Sequence, residues 1–124
     1  MCIRDRIGDG LKLAQIRLGT ARLTHCMRWT GMAKRALEET FDYVRERKAF
    51  GDILADHEGV QWLLGEAAMA IELGRLLTMR AAVKLDSGDF ARKEISMAKI
   101  QVADTLHKAV DLSLIHISEP TRPY

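Results

Sequence analysis

Proline occurs only twice in the 124 residues, at Pro120 and Pro123. No proline ring therefore interrupts a helix ahead of the last five positions. Cysteine is as scarce, with only Cys2 and Cys26. Once Cys2 is set aside for the reason given below, a lone thiol leaves neither a disulfide framework nor a cysteine metal site. An excess of either charge is also missing: 19 basic residues face 17 acidic ones, a formal +2. That balance makes no electrostatic case for nucleic acid or an anionic membrane as partner. No apolar run approaches the ~20 residues needed to span a bilayer, and no glycine-rich loop suggests a phosphate-binding sheet. The chain shows no alternating strand pattern, no low-complexity segment and no repeat. The expected setting is intracellular, cytoplasmic if the source is bacterial, with any upstream targeting segment unknown.

The two ends read as foreign to what lies between them. Met1-Cys2-Ile3-Arg4-Asp5 and the start of the next codon can be written ATGTGTATAAGAGACAG. The reverse complement of that DNA, slightly extended, translates as Leu-Ser-Leu-Ile-His-Ile, the run Leu112 to Ile117. Two natural termini have little reason to encode opposite strands of one short DNA, and this one resembles a transposase end used in sequencing libraries. Residues 1–6 and 112–124 are therefore expected to be artefactual and are set aside like a fusion scar, leaving one domain over 7–111. Arg4, Arg6 and Arg122 then come off the basic count, and Asp5 and Glu119 off the acidic one, leaving +1.

The remaining segment has a helical period almost throughout. From Leu11 to Tyr43, apolar groups recur every three or four residues: Leu11, Ala14, Leu18, Ala21, Cys26, Trp29, Ala33, Ala36 and Leu37. Gly19 and Gly31 each cost ~1 kcal/mol inside a helix and mark close packing or an irregularity. A second helix is expected from about Asp56, a capping residue, with Val60, Leu63, Leu64, Ala67, Ile71, Gly74, Leu77 and Ala81 on its apolar face. It should stop at Asp86-Ser87-Gly88. Asp89 should cap a third helix carrying Ile95, Ala98, Val102, Thr105, Leu106 and Ala109. The expected fold is all-α, three long antiparallel helices of an incomplete four-helix bundle. One apolar seam is left for a fourth helix or another chain.

Several motifs sit on this frame in order. Gln15-Ile16-Arg17-Leu18-Gly19-Thr20-Ala21-Arg22-Leu23-Thr24-His25-Cys26-Met27-Arg28-Trp29 lies in helix one, and Glu46-Arg47-Lys48-Ala49-Phe50-Gly51 lies between helices one and two. Leu85-Asp86-Ser87-Gly88 precedes helix three, and Glu94-Ile95-Ser96-Met97-Ala98-Lys99 begins it. Together they resemble the C-terminal helical domain of the acyl-CoA dehydrogenases, especially the branch that often has a phosphotransferase-like domain upstream. The resemblance implies FAD as cofactor. Arg47 falls where the family places an arginine on the pyrophosphate of a flavin held by a neighbouring subunit, a target that suits a planar guanidinium. Read alone, Arg47 is a solvated cation at a helix C-terminus. Phe50 falls where an aromatic packs near the adenine, and Leu54 and His57 where side chains approach the AMP half. By residue type, Phe50 also suits a core plug and His57 a capping or surface group.

Arg22 matches an arginine near the thioester and CoA end of the substrate site; by itself it is a helix-surface arginine. Ala21 stands where some branches place the catalytic glutamate, and alanine cannot abstract a proton, so the resemblance puts no catalytic residue in this chain. Glu58 departs from the family's usual glutamine, although the closer branch can carry His-Glu, and Ala49 departs from a usual hydroxyl, which makes the flavin contact less polar. His25 and Cys26 are adjacent and point ~100° apart on a helix, too far for a two-ligand metal face. Glu38, Glu39 and Asp42 read as a solvated face. Met69, Met79 and Met97 read as core filler, and His107 with Lys108 carries no recognisable chemistry.

The family reaction implied is oxidation of an acyl-CoA to a trans-2-enoyl-CoA. A homo-oligomer, a dimer of dimers, and an electron-transfer flavoprotein are the implied partners. Two other functions fit parts of the pattern: an acyl-CoA oxidase sharing the fold, and a non-catalytic helical interaction module.

Overall fold

A computed structural model describes residues 10–114. Helix α1 spans Gly10–Glu46, α2 Glu58–Asp86 and α3 Arg92–Ser113. At 1.5 Å per residue, the 37 residues of α1 extend about 55 Å. Its first two turns overhang the bundle. Leu11 is 73% exposed and Leu18 43%, with Ala14 exposed between them, so these three leave the expected core stripe.

Three apolar clusters establish how the helices run. Leu23, Ala81, Ala91 and Ile95 form one end, and Cys26, Ala98 and Val102 the middle. Ala33, Leu37, Val44, Val60, Leu64, Ile71, Ala109 and Leu112 form the other end. The early residues of α1 and α3 thus meet the late residues of α2. Consecutive helices are antiparallel as expected, while α1 and α3 run in the same direction and share the broadest interface.

The threonines buried in this core find carbonyl partners. Thr40 Oγ1 donates to Ala36 O and Thr78 Oγ1 to Gly74 O, both at 2.7 Å, and Thr105 Oγ1 reaches from α3 to Ala70 O on α2 at 3.3 Å. Such bonds remove most of the cost of burying a hydroxyl. Glu94 is buried at the start of α3 and pairs with Lys84 Nζ at 2.6 Å. That lysine's hydrogen bond holds the carboxyl below its usual range, and the Lys84 ammonium is raised in return.

Several expectations need correction. A side chain added at Gly19 or Gly31 would meet nothing within 4 Å, so neither marks close packing. The close approach is at Gly74, where a Cβ would come 2.9 Å from Val102 Cγ2. Met69, Met79 and Met97 are 63%, 55% and 43% exposed, not core filler, because they lie off the stripes that face the neighbouring helices. Leu63, 46% exposed, also falls outside the core.

Asp56 does not cap α2. It sits in a 3₁₀ turn, Leu54–Asp56, and the capping position belongs to His57, which makes no side-chain capping bond. Asp89 lies two residues upstream of the α3 cap, Ala91, whose amide donates to Asp89 Oδ1 at 3.3 Å. Ala91 itself is left-handed, with φ 43°.

α3 continues past Asp111 to Ser113 and buries Leu112 in the largest cluster. The adapter-like residues 1–6, and 115–124 of the tail with Ser118 to Tyr124, lie outside the described residues.

Candidate functional site

The joint between α1 and α2 is a tight hairpin. Strands β1, Lys48–Ala49, and β2, Asp52–Ile53, pair antiparallel with Lys48 opposite Ile53 and Ala49 opposite Asp52. Two-residue strands are too short to show the alternation by which a sequence reveals a strand, which is why the expected turn concealed a ladder. The loop between them is Phe50-Gly51, with φ 56° and 96°. Positive φ at both central residues is the type I′ pattern, whose twist matches that of paired strands. Gly51 adopts it without penalty, whereas a bulky residue in this region is an outlier costing about 1–2 kcal/mol.

That cost holds an aromatic ring in water, since Phe50 is 95% exposed. The core-plug reading of Phe50 is therefore wrong. Its one ring contact among the described residues is an edge-on approach to His57, with centroids 6.2 Å apart and planes at 87°. His57 is half-buried and bonds Ala49 O through Nε2 at 3.2 Å. A carbonyl can only accept, so Nε2 carries the proton in this bond. His57 thus ties the start of α2 to the hairpin and props Phe50.

Further bonds close the joint. Arg47 N donates to Tyr43 O at 2.9 Å, Leu54 N to Arg47 O at 2.7 Å, and Gln61 Nε2 to Ala55 O at 2.9 Å. Leu54 is half-buried and packs against the largest core cluster. It anchors the turn from below. Arg47 is exposed, and its guanidinium has no ion-pair partner among the described residues. Arg45 and Lys48 flank it, also exposed. The joint therefore presents an aromatic face and unpaired cations on a backbone fastened at both ends. This arrangement can stack on a planar base and bind a phosphate.

Arg22 is elsewhere. It is half-buried on α1 and lines a groove of about 370 Å³ with Gln15, Thr20, Leu85, Phe90 and Arg92 at the opposite end of the bundle. The distance to Arg47 along α1 is roughly 37 Å. The structure brings Arg47, Phe50, Leu54 and His57 together and keeps Arg22 apart. Burial pushes the Cys26 thiol up, with nearby Lys99 pulling the other way. Among the described residues, no group of three or more His, Cys, Asp or Glu is placed to hold a metal ion, and no helix is long and apolar enough to cross a membrane.

Residues 8–116 match the sequence model of the acyl-CoA dehydrogenase C-terminal domain. The chain belongs to the acyl-CoA dehydrogenase family. It is 39% identical over 109 residues to acyl-CoA dehydrogenase family member 11 of Gallus gallus, covering 86% of this chain and 14% of that protein's length. A glutaryl-coenzyme A dehydrogenase in complex with glutaryl-CoA superposes with a TM-score of 0.85 at 25% identity, over 92% of this chain and 29% of the other. Butyryl-CoA dehydrogenase from Megasphaera elsdenii gives 0.84 at 26% identity, over 90% and 29%.

In this acyl-CoA dehydrogenase domain, some groups that shape the two candidate sites were not foreseen. Gln61 fastens the joint, and Phe90 and Arg92 line the Arg22 groove with the guanidinium 5.9 Å from the ring centroid. Gln61 carried no sequence signal. Phe90, a large aromatic next to the Ser87-Gly88 stop, did, and it is 66% exposed here.

Proposed function

We propose that this chain is the flavin-clamping helical segment of an FAD-dependent acyl-CoA dehydrogenase, one that oxidises an acyl-CoA to the trans-2-enoyl-CoA. The observation that carries the proposal is Phe50, left-handed and 95% exposed beside an arginine without an ionic partner. Strain of that kind persists where function uses it. The residues present fit a dinucleotide: the Phe50 ring offers a face for the adenine, and the Arg47 guanidinium offers paired donors for a diphosphate. His57 holds the ring in place, and Leu54 sets the height of the turn. FAD, when bound, supplies the hydride-accepting chemistry.

The flavin so held is that of a neighbouring subunit, which makes the active protein a homo-oligomer, with an electron-transfer flavoprotein as electron acceptor. Arg22, at the far end, orients the CoA ester. Ala21 beside it cannot act as a base, so the proton-abstracting carboxylate comes from outside this segment. The chain alone is expected neither to retain FAD tightly nor to turn over acyl-CoA.

The test joins this segment to the remainder of an acyl-CoA dehydrogenase and measures flavin content per subunit and steady-state kinetics at matched thermal stability. Arg47→Ala should weaken FAD retention by about 1.5–3 kcal/mol, the worth of a charge-assisted bond. Arg22→Ala should leave flavin content intact and impair turnover or CoA-ester binding. Full flavin retention in Arg47→Ala would return that residue to the role of a helix-end cation.

A further inference from the structure

The turn before α3 repeats the features of the joint at the opposite end of the bundle. Ala91 is left-handed, with φ 43° and ψ 31°, a conformation disfavoured for any residue with a Cβ. Its side chain is buried in the cluster of Leu23, Ala81 and Ile95. The bend is fastened on both sides: Asp89 N donates to Lys84 O at 3.1 Å, Ala91 N to Asp89 Oδ1 at 3.3 Å and Ile95 N to Ala91 O at 2.9 Å. Lys84 Nζ spans it, 3.7 Å from Asp89 Oδ2 and 2.6 Å from Oε1 of the buried Glu94.

This turn holds out an aromatic ring and a guanidinium. Phe90 is 66% exposed, and Arg92 Cζ lies 5.9 Å from its ring centroid. Both line the groove of about 370 Å³ that also contains Arg22, a volume in the range that receives small organic ligands. Neither arginine has an ion-pair partner among the described residues. Asp89 is the one carboxylate among the lining residues, and Lys84 and the Ala91 amide already engage it. The groove therefore offers two free guanidiniums beside an open aromatic face. Guanidinium forks suit phosphate oxygens, and an exposed ring stacks on a nucleobase.

We infer that this groove reads the nucleotide end of coenzyme A, with Phe90 stacked on the adenine and Arg92 and Arg22 on its phosphates. Phe90 and Arg92 are then specificity residues, which separate a CoA thioester from one carried on phosphopantetheine alone. The inference rests on the reading of Arg22 as a CoA contact and extends it across the groove to the turn before α3.

The test is isothermal titration calorimetry of the 124-residue chain with CoA, adenosine 3′,5′-bisphosphate and 4′-phosphopantetheine. CoA and the bisphosphate should bind, and phosphopantetheine about tenfold more weakly or worse. Phe90→Ala and Arg92→Ala, at exposed positions, should each raise the Kd for CoA about fivefold or more. Phosphopantetheine binding and helicity by circular dichroism should not change. Phe90→Tyr keeps an aromatic face and should bind CoA like the wild type. Phosphopantetheine binding as tight as that of CoA overturns the inference, as does a chain that binds no CoA at millimolar concentration. So does a CoA affinity that falls with Arg47→Ala in place of Arg92→Ala, which puts the nucleotide at the joint. If Arg22→Ala impairs turnover in the joined dehydrogenase while Arg92→Ala leaves CoA affinity unchanged, this inference alone fails. If Arg22→Ala affects neither turnover nor CoA binding, the reading beneath it fails as well.

Discussion

Phe50 allows backbone strain to be separated from side-chain contact. Its φ of 56° costs a non-glycine residue about 1–2 kcal/mol, less for asparagine, whose short polar side chain bonds locally in this region. Ala and Asn substitutions both remove the ring and its edge contact with His57. With the ring 95% exposed, both lose almost no burial. They differ in what they do to the backbone: Phe50→Ala keeps the strained loop, whereas Phe50→Asn installs the asparagine-glycine pair that a type I′ hairpin prefers. The Asn variant should therefore exceed the Ala variant by about 1 kcal/mol, a Tm difference of roughly 4 °C or more in a domain of this size. Thermal unfolding followed by far-ultraviolet circular dichroism reads this directly. If the two variants melt together, or Asn melts lower, position 50 holds no strain and the inference from strain to function fails.

Two further outcomes probe the core. Gly74→Ala gains about 1 kcal/mol of helix propensity but drives a Cβ to 2.9 Å from Val102 Cγ2. Val102 is 1% exposed and β-branched, so it cannot swing aside, and overpacking of about 1–3 kcal/mol leaves a net loss. Gly31→Ala, with nothing within 4 Å, should stabilise by up to about 1 kcal/mol; urea denaturation giving both the same gain would refute the close approach. Glu94 has its carboxyl held below the usual range first by the Lys84 hydrogen bond, so the pair adds stability above the unfolded carboxylate pKa of about 4.3 and loses it as pH falls through the lower folded value. Glu94→Gln should thus be less stable than wild type at neutral pH, with the gap closing on acidification. Denaturation at neutral and acid pH would contradict this if the gap widened.

The helices were legible because their punctuation is local. Gly51 and Gly88 adopt the positive φ values that end or turn a chain, 96° and 86°, and the residues around them announce it by type. The core stripes were legible only where a neighbour exists. Leu11, Ala14 and Leu18 have the same spacing as Cys26 and Ala33, yet they are exposed, and spacing carries no record of which side a neighbouring helix covers. Met69 was misplaced for a related reason, since α2 also carries apolar residues such as Trp62, Met69 and Leu76 on an exposed side, and period alone merges that side with the core one of Val60, Leu64 and Ile71. At the candidate site, family order placed Arg47, Phe50, Leu54 and His57 on one joint, and the structure shows them there. What no local rule foretold is the strained exposure of Phe50, because positive φ at a phenylalanine runs against its intrinsic preference. The histidine bond to Ala49 O is likewise a tertiary accident of how α2 departs.

α1 and α2 run in opposite directions, and the dipoles of the two helices meet head to tail across the joint. At the joint the C-terminus of α1, at Glu46, meets the N-terminus of α2, at Glu58, so their opposite partial charges offset each other there. An anionic ligand arriving at this end draws little net attraction from the main chain, unlike at sites built on a helix N-terminus alone, where amides do the attracting. Its attraction rests on Arg45, Arg47 and Lys48. Side chains, unlike a helix dipole, are removed by one mutation, and the backbone supplies little reserve when Arg47 is lost.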